Sequence, residues 1–262
     1  MANILITNDD GIHSDGLLAL YESLEPVGKV TVIAPDRPRS ASGHSITLHK
    51  PLRADKVRLA GGVYGYSSNG TPADCVCLGA LKIVEGPVDL VVSGINRGPN
   101  LGFDLTYSGT VSAAMEAAVM GISSFAISIT THEAVSGFAL AGAFAKHIAE
   151  ILLRRKLPGG AFLNVNVPDA ASEQIAGVEI TRQGVRHYDG RIETRTDPTG
   201  RAYYWLGGDL PVDVLEEGTD VKATADNKIS VTPIHLDLTA NSLIKPLEDW
   251  GISRFPGLSR RD

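Results

Sequence analysis

Short apolar runs that alternate with helix-like segments dominate the first half of this chain. The segments that carry the pattern are residues 4–7, 17–24, 30–34, 73–83, 88–93, 111–120 and 125–129, and a further helix is predicted over 136–155. Buried strands separated by amphipathic helices are typical of a parallel sheet that helices cover on both faces. The sequence therefore predicts an α/β fold with a doubly wound, mostly parallel sheet.

The residue pattern changes beyond Pro168, where polar and apolar residues alternate and turn-forming residues are frequent. The stretch TRQGVRHYDGRIETRTDPTGRAYYWLGG, residues 181–208, predicts a long β-hairpin with its turn near Asp197-Pro198-Thr199-Gly200. We therefore expect a Rossmann-like core over residues 1–168 that carries the functional site. A hairpin and C-terminal segment over 169–262 would complete the fold and make subunit contacts.

Charge and composition narrow the range of partners. The chain has 24 Lys and Arg against 30 Asp and Glu, a net charge of −6. This balance argues against binding of polymeric nucleic acid, which depends on many cationic contacts to phosphates, so we expect a small-molecule ligand. We interpret Cys75 and Cys77 as reduced, packed thiols, because their spacing is too short for a comfortable disulfide. The apolar runs are too short or too charged to span a bilayer and no signal-peptide pattern is present, which predicts a cytoplasmic protein without membrane contact.

Two adjacent acids, Asp9 and Asp10, follow the first apolar run in the sequence NILITNDDG. Neighbouring carboxylates repel each other, so their place at the end of a buried strand needs a reason. They could bind a metal ion, act as a nucleophile and its helper, or form a solvated strand end that caps a helix. Gly11 permits close approach of a ligand, and Asn8 adds a neutral amide beside the pair.

Two further loops are expected at the same edge of the sheet, since ligands collect at the carboxyl ends of parallel strands. In APDRPRSASGHS, residues 34–45, Ser40 could give an oxygen to a hard divalent cation, although the loop also reads as an ordinary polar turn. In SGINRGPNLGFDLTYSGTV, residues 93–111, Asn96 follows a strand. Ser108, Gly109 and Thr110 then open an alanine-rich helix, either as a phosphate cradle or as a plain helix cap.

Taken together, these motifs resemble the survival protein E, or stationary-phase survival, nucleotidases. The resemblance also includes NGTPADCV, RTDPTGRAYYW and EGTDVKA, and it extends from Asn3 to about Thr239. It implies a metal-dependent phosphatase of nucleoside 5′- and 3′-monophosphates, with short polyphosphate as a further substrate of some members. It places one divalent cation per subunit on Asp9, Asp10, Ser40 and Asn96, and it places the phosphate beside Asn8, Ser108, Gly109 and Thr110.

Two positions depart from the pattern of this family. Asp15 stands where many relatives have proline, and Ala41 stands where many have glycine directly after the ligand serine. Ala41 puts the backbone conformation of its loop in question, because alanine tolerates positive φ poorly. His13 and His44 lie near the expected site and could serve a leaving oxygen, whereas we interpret His132, His147, His187 and His235 as structural.

The resulting expectation is direct hydrolysis of a phosphomonoester by a metal-activated water, with Asp9, Asp10 and Asn8 as the catalytic residues. Oxygen and amide ligands favour Mg²⁺ or Mn²⁺. One alternative is a covalent aspartyl phosphate on Asp9, although Gly11 stands where that chemistry needs an acid. Another is a nucleotide-binding sensor without turnover.

The tail ANSLIKPLEDWGISRF, residues 240–255, is expected to take part in subunit assembly. It carries an unusual amount of apolar surface for a chain end, on Leu243, Ile244, Leu247, Trp250 and Phe255. The family resemblance implies that the hairpin and tail are exchanged between subunits, giving a homodimer or homotetramer. The alternative is that the tail docks on its own subunit.

Overall fold

The computed structural model describes residues 1–131, 138–208 and 211–253. The strands are β1 (Asn3–Thr7), β2 (Lys29–Pro35), β3 (Ala54–Arg58), β4 (Tyr64–Ser68), β5 (Leu90–Arg97), β6 (Ser124–Ile129), β7 (Ala161–Val167), β8 (Gly177–Ile180), β9 (Val185–His187), β10 (Arg191–Thr196), β11 (Ala202–Gly207), β12 (Val212–Val214) and β13 (Lys228–His235). The α-helices are α1 (Asp15–Leu24), α2 (Pro72–Leu78), α3 (Gly109–Val119), α4 (Ala139–Arg154), α5 (Asp220–Ala225) and α6 (Asn241–Asp249).

One sheet of nine strands organises the molecule, in the order β3-β4-β2-β1-β5-β6-β7-β13-β8. The six strands from β4 to β7 in this order are parallel, whereas β3 and β13 run antiparallel to β4 and β7. The predicted mostly parallel sheet is therefore confirmed. The carboxyl ends of the six parallel strands share one edge of the sheet, and ligand-binding sites are expected at this edge in such a fold.

Helices cover both faces of this sheet because the buried strand residues alternate in direction. Ile4 and Ile6 of β1 belong to the core that also contains Leu17 of α1 and Ala145 of α4. Leu5, between them, belongs to a second core with residues from α2 and α3. The sheet is therefore doubly wound, as the sequence predicts.

The bounds of three predicted elements change in the structure. Residues 73–83 form α2 and then a π-helical turn over Gly79–Ile83, and α2 is capped by the Thr71 side chain. The strand predicted over 88–93 continues to Arg97, since β5 accommodates Gly94 through an irregularity instead of ending there. The helix predicted over 136–155 is observed as Ala139–Arg154, and Ser136 lies outside the described residues.

The predicted hairpin is present as β10 paired with β11, joined through the Asp197–Gly200 turn. A second ladder pairs β9 with β12 at its base. We call the described part of residues 185–214 the arm. Two other strands from beyond Pro168, β8 and β13, lie in the main sheet, so this part of the chain contributes to the core sheet. Cys75 and Cys77 are free thiols, in agreement with the sequence-based interpretation.

Within the described residues, no helix is long and apolar enough to cross a membrane.

Candidate metal and phosphate site

A pocket of about 310 Å³ opens at the carboxyl edge of the sheet, and five of the predicted site residues line it. These are Asp9, Asp10, Ser40, Asn96 and Ser108. They come from four separate segments: the loop after β1, the loop after β2, the end of β5 and the start of α3. The sheet thus brings together side chains that are up to 99 positions apart in the sequence. Asn8, Gly109 and Thr110 are buried next to these residues and do not line the pocket.

Asp9 is the buried anchor of the site, with a relative exposure of 6%. The Thr110 hydroxyl donates a hydrogen bond to Asp9 Oδ1, so Thr110, predicted as a phosphate contact, holds the carboxylate in this structure. Gly109 makes the approach possible, because a Cβ at this position would come within 2.7 Å of Asp9 Cβ. Asp9 therefore lies against the N-terminus of α3, where the helix dipole favours negative charge.

Burial raises the pKa of Asp9 to about 6 from 3.8; the Thr110 hydrogen bond opposes this rise and the Asp10 charge adds to it. Burial also raises the pKa of Asp10. A raised pKa means that the folded chain holds the Asp9 proton more tightly than the unfolded chain does. Without a cation, the contribution of Asp9 to stability is therefore lost as the pH rises from 3.8 to about 6. A nearby positive charge reverses this loss.

Asn8 organises the turn that presents the two acids. Its Nδ2 donates to the carbonyl of Gly11 at 3.2 Å and to Ser14 Oγ at 2.5 Å, and its Oδ1 accepts from the Gly11 N–H at 3.2 Å. Ser14 in turn caps α1. The Asn8 side chain is fully buried in these contacts, which hold the turn in place. Its predicted place beside the phosphate stays a prediction.

Asn96 is aimed into the pocket by a local break in the β5 pairing. The register with β6 shifts between Ser93 and Asn96, as expected where a bulge redirects a side chain. Asn96 Nδ2 donates to the Gly98 carbonyl at 2.8 Å. This bond fixes the amide and leaves Oδ1 without a hydrogen-bond donor among the described residues, so that oxygen is available as a ligand atom.

The loop that carries Ser40 is tied to the site on both sides. The Arg39 N–H donates to the Asp9 carbonyl at 2.8 Å, and the Gly43 N–H donates to the Tyr107 carbonyl at 3.0 Å. Between these two hydrogen bonds, Ala41 has a φ of 53°. This left-handed conformation is strained for alanine, as expected where many relatives have glycine. The two ties hold the Ser40 hydroxyl at the wall of the pocket.

Ser108 is the N-cap of α3, since its Oγ accepts from the Val111 N–H at 3.1 Å. The capping alternative is therefore confirmed, and the phosphate cradle at residues 108–110 stays a prediction. Ser108 lines the pocket while it caps the helix, so the two roles are compatible.

The two histidines expected near the site, His13 and His44, do not line this pocket. His44 Nε2 lies 2.7 Å from Glu116 Oε2, and His13 lines a separate cavity beside Asp10 and Arg97. His132 lies outside the described residues.

Sequence reasoning missed Asn100 and Asp104, which also line the pocket. The density of polar residues and glycines immediately after Asn96 was the available signal.

The donor set fits a hard divalent cation. No group of three or more His, Cys, Asp or Glu side chains that could hold a metal ion occurs in the described ranges. A cation in this pocket would therefore rely on the two carboxylates together with the Ser40 hydroxyl and the Asn96 amide oxygen. Oxygen ligands of this kind suit Mg²⁺ or Mn²⁺ and disfavour a structural zinc ion.

The fold and the pocket define a class: a doubly wound α/β protein with an oxygen-lined ligand pocket at the carboxyl edge of its sheet. The model of the family described as "Survival protein SurE" matches residues 4–190. The chain belongs to this family.

Two relatives named 5′-nucleotidase SurE match along nearly their whole length. The protein of Geobacter sulfurreducens is 52% identical over 251 residues, which cover 96% of this chain and 94% of the relative. The protein of Heliobacterium modesticaldum is 46% identical over 263 residues, with 99% and 96% covered. The crystal structure of the SurE protein from Aquifex aeolicus has a TM-score of 0.82 and 43% identity, and the match covers 95% of this chain and 99% of that one.

Replacement of Ala41 by glycine should stabilise the chain. The left-handed conformation costs alanine about 1–2 kcal/mol, and the greater freedom of glycine in the unfolded chain offsets about 0.4–1 kcal/mol of the gain. We expect Ala41→Gly to raise the free energy of unfolding by about 0.5 kcal/mol, measured by urea denaturation. Ala171→Gly is the control, because Ala171 has a φ of −62° and the exchange should destabilise the chain. A loss of stability in Ala41→Gly would contradict the assigned backbone strain.

Proposed function

We propose that this chain is a divalent-metal-dependent phosphomonoesterase that hydrolyses nucleoside 5′- and 3′-monophosphates, with short-chain polyphosphate as a further substrate. The observation that carries the proposal is the pocket in which Asp9, Asp10, Ser40 and Asn96 lie beside the N-terminus of α3. The relatives named 5′-nucleotidase support the phosphomonoester class. The chain is accordingly a hydrolase of phosphoric monoesters.

Some of the pocket residues would bind the cation, and others would bind the phosphate. When bound, Mg²⁺ or Mn²⁺ would supply positive charge and Lewis acidity for phosphoryl transfer to water. Asp9 and Asp10 would hold this cation by charge, with neutral oxygens from Ser40 and Asn96. Ser108 and the positive end of the α3 dipole favour the dianion of a terminal phosphate, so monoesters are preferred over diesters.

Two alternatives compete with this mechanism. A covalent aspartyl phosphate on Asp9 is disfavoured, because Asp9 Oδ1 already accepts the Thr110 hydrogen bond and the carboxylate is nearly buried. Trapping of a phosphorylated enzyme by rapid acid quench would support it. A nucleotide sensor without turnover would bind nucleotides and release no phosphate.

A phosphate-release panel tests the proposed reaction. We expect several nucleoside 5′- and 3′-monophosphates to be cleaved with modest preferences in Mg²⁺ or Mn²⁺, and none in chelator. A phosphodiester should be a poor substrate. Strong diester cleavage with inert monoesters would contradict the proposal, and nucleotide binding without any phosphate release would favour the sensor.

The variant Asp10→Asn tests the role of the acidic pair in this panel. It removes one negative charge at nearly constant volume, so we expect phosphate release to fall at least about a hundredfold while the fold is retained. Asp249→Asn is the matched control, because Asp249 is an exposed carboxylate on α6. Normal turnover by Asp10→Asn would show that this carboxylate is dispensable.

We also propose that the chain assembles into a homodimer or homotetramer through the arm and the tail. Leu243, Ile244, Leu247 and Trp250 of the tail are 39–73% exposed in the single chain. The arm likewise exposes Ile192, Tyr204, Trp205 and Leu206. Apolar surface of this extent favours a protein partner, and the described residues bury no residue of the amphipathic α6. Phe255 lies outside the described residues.

Light scattering tests the assembly. The full chain should have the mass of a dimer or tetramer, and deletion of residues 240–262 should lower the mass or cause aggregation, because the surface it covers in the partner becomes exposed. A monomeric mass for both proteins would reject exchange of these segments.

A further inference from the structure

One side of the pocket is not used by the metal and phosphate chemistry. Asp9, Asp10, Ser40, Asn96 and Ser108 account for the cation and the phosphate. The other polar side chains of the lining are Arg97, which ends β5 and pairs with Asp15 at 3.1 Å, and Asn100, Asp104 and Tyr107 of the loop after β5. A phosphomonoesterase must also accommodate its leaving group, and this loop lines the space that is left for it.

Asp104 in this wall is held by the arm. The Arg186 Nη1 donates to Asp104 Oδ2 at 2.6 Å, and the Tyr188 hydroxyl donates to the same oxygen at 2.6 Å. Arg186 Nε also donates to Asp213 Oδ1 at 2.7 Å, so the guanidinium is fixed between two carboxylates. The side chains of Arg186 and Asp104 are only 12% and 19% exposed, where charge-assisted hydrogen bonds are strong.

A second contact ties the same loop to the base of the arm. Asp220 Oδ2 accepts from the Gly102 N–H at 3.0 Å, and Asp220 Oδ1 accepts from the Gly184 N–H at 2.7 Å. Gln183 Nε2 donates to the Gly102 carbonyl at 2.9 Å. The loop therefore cannot shift without disturbing the start of the arm.

Both arm donors use Oδ2 of Asp104, and Oδ1 takes no hydrogen bond from any residue that the structure describes. A carboxylate oxygen facing a leaving group is suited to accept from a hydroxyl, such as those of a sugar. Burial and the bond to Asp104 raise the pKa of Tyr188 to about 12, so the phenol remains a donor at neutral pH.

We propose that Arg186 and Tyr188 are positioning residues that fix Asp104 as the wall contacting the nucleoside part of the substrate. This inference rests on the proposed phosphomonoesterase function. It assigns the arm a role in substrate affinity in addition to its place in assembly. It also assigns Asp104 a role in specificity that is separate from the metal site.

The test compares two substrates in three variants of the full chain. The substrates are a nucleoside 5′-monophosphate and p-nitrophenyl phosphate, which lacks the sugar, both with saturating Mn²⁺. Tyr188→Phe removes one hydroxyl, Arg186→Gln removes the charge, and Arg195→Gln is the control. Arg195 is paired only within the exposed arm, with Glu193 at 2.8 Å.

We expect Tyr188→Phe to raise the KM for the nucleotide about fivefold and Arg186→Gln to raise it about tenfold, with kcat changed less than about twofold. The KM for p-nitrophenyl phosphate and the Mn²⁺ affinity from calorimetry should stay within about twofold of wild type, and the mass from light scattering should be unchanged. Arg195→Gln should match wild type in KM and kcat for both substrates.

An unchanged nucleotide KM in Tyr188→Phe, or an equal rise of KM for both substrates, would overturn the inference, since the second result indicates general distortion. If Arg186→Gln fails to fold, Tyr188→Phe decides alone. A wild-type chain inactive on both substrates would instead overturn the proposed function and this inference with it.

Discussion

The hydrogen bond from the Thr110 hydroxyl to Asp9 is the contact on which the site depends. It joins the end of β1 to the first turn of α3, two segments that are remote in sequence. Gly109 lets the helix approach, because any side chain there would collide with Asp9. The Asp9 carbonyl then accepts from Arg39 and so fixes the loop that carries Ser40. One buried acid thus sets the positions of three walls of the pocket.

A buried acid next to a second acid is unfavourable for folding alone. Burial raises the pKa of both Asp9 and Asp10, which expresses the cost of their charges in this environment. The proposed cation would offset that cost, which would give a reason for two carboxylates where the strand ends. Residues that are unfavourable for folding are expected at functional sites, where binding or catalysis requires them.

A buried amide network supports the opposite wall. The Asn100 N–H donates to Asn166 Oδ1 at 2.8 Å, and the Asn100 carbonyl accepts from both Asn164 and Asn166. Asn100 Nδ2 donates to Ser128 Oγ at 2.8 Å. These residues lie on β6 and β7, inside the sheet. The loop after β5 is therefore fixed by the sheet at Asn100 and by the arm at Asp104, which suits a wall that selects a ligand.

The sequence predicted the fold and the lining residues because both depend on local patterns. Apolar runs define strands, and the acids, Ser40 and Asn96 follow strands whose carboxyl ends share an edge. The hydrogen-bond partners that Asn8 and Thr110 have in this structure could not be predicted in the same way. An amide or hydroxyl near a pocket can face either the ligand or the protein, and that choice depends on packing between distant segments. The continuation of β5 past Gly94 and the bonds from Arg186 to Asp104 depend on contacts that no local pattern encodes.

The proposed cation site of Asp9 and its neighbours can be tested by Mn²⁺ binding followed by electron paramagnetic resonance. Free Mn²⁺ gives a strong signal that is lost on binding. The wild-type chain should suppress this signal up to one equivalent per chain. Asp9→Asn should weaken binding at least about tenfold, while Asp249→Asn should titrate like wild type. Equal titration of Asp9→Asn and wild type, or no suppression by the wild-type chain, would show that Asp9 does not form this cation site.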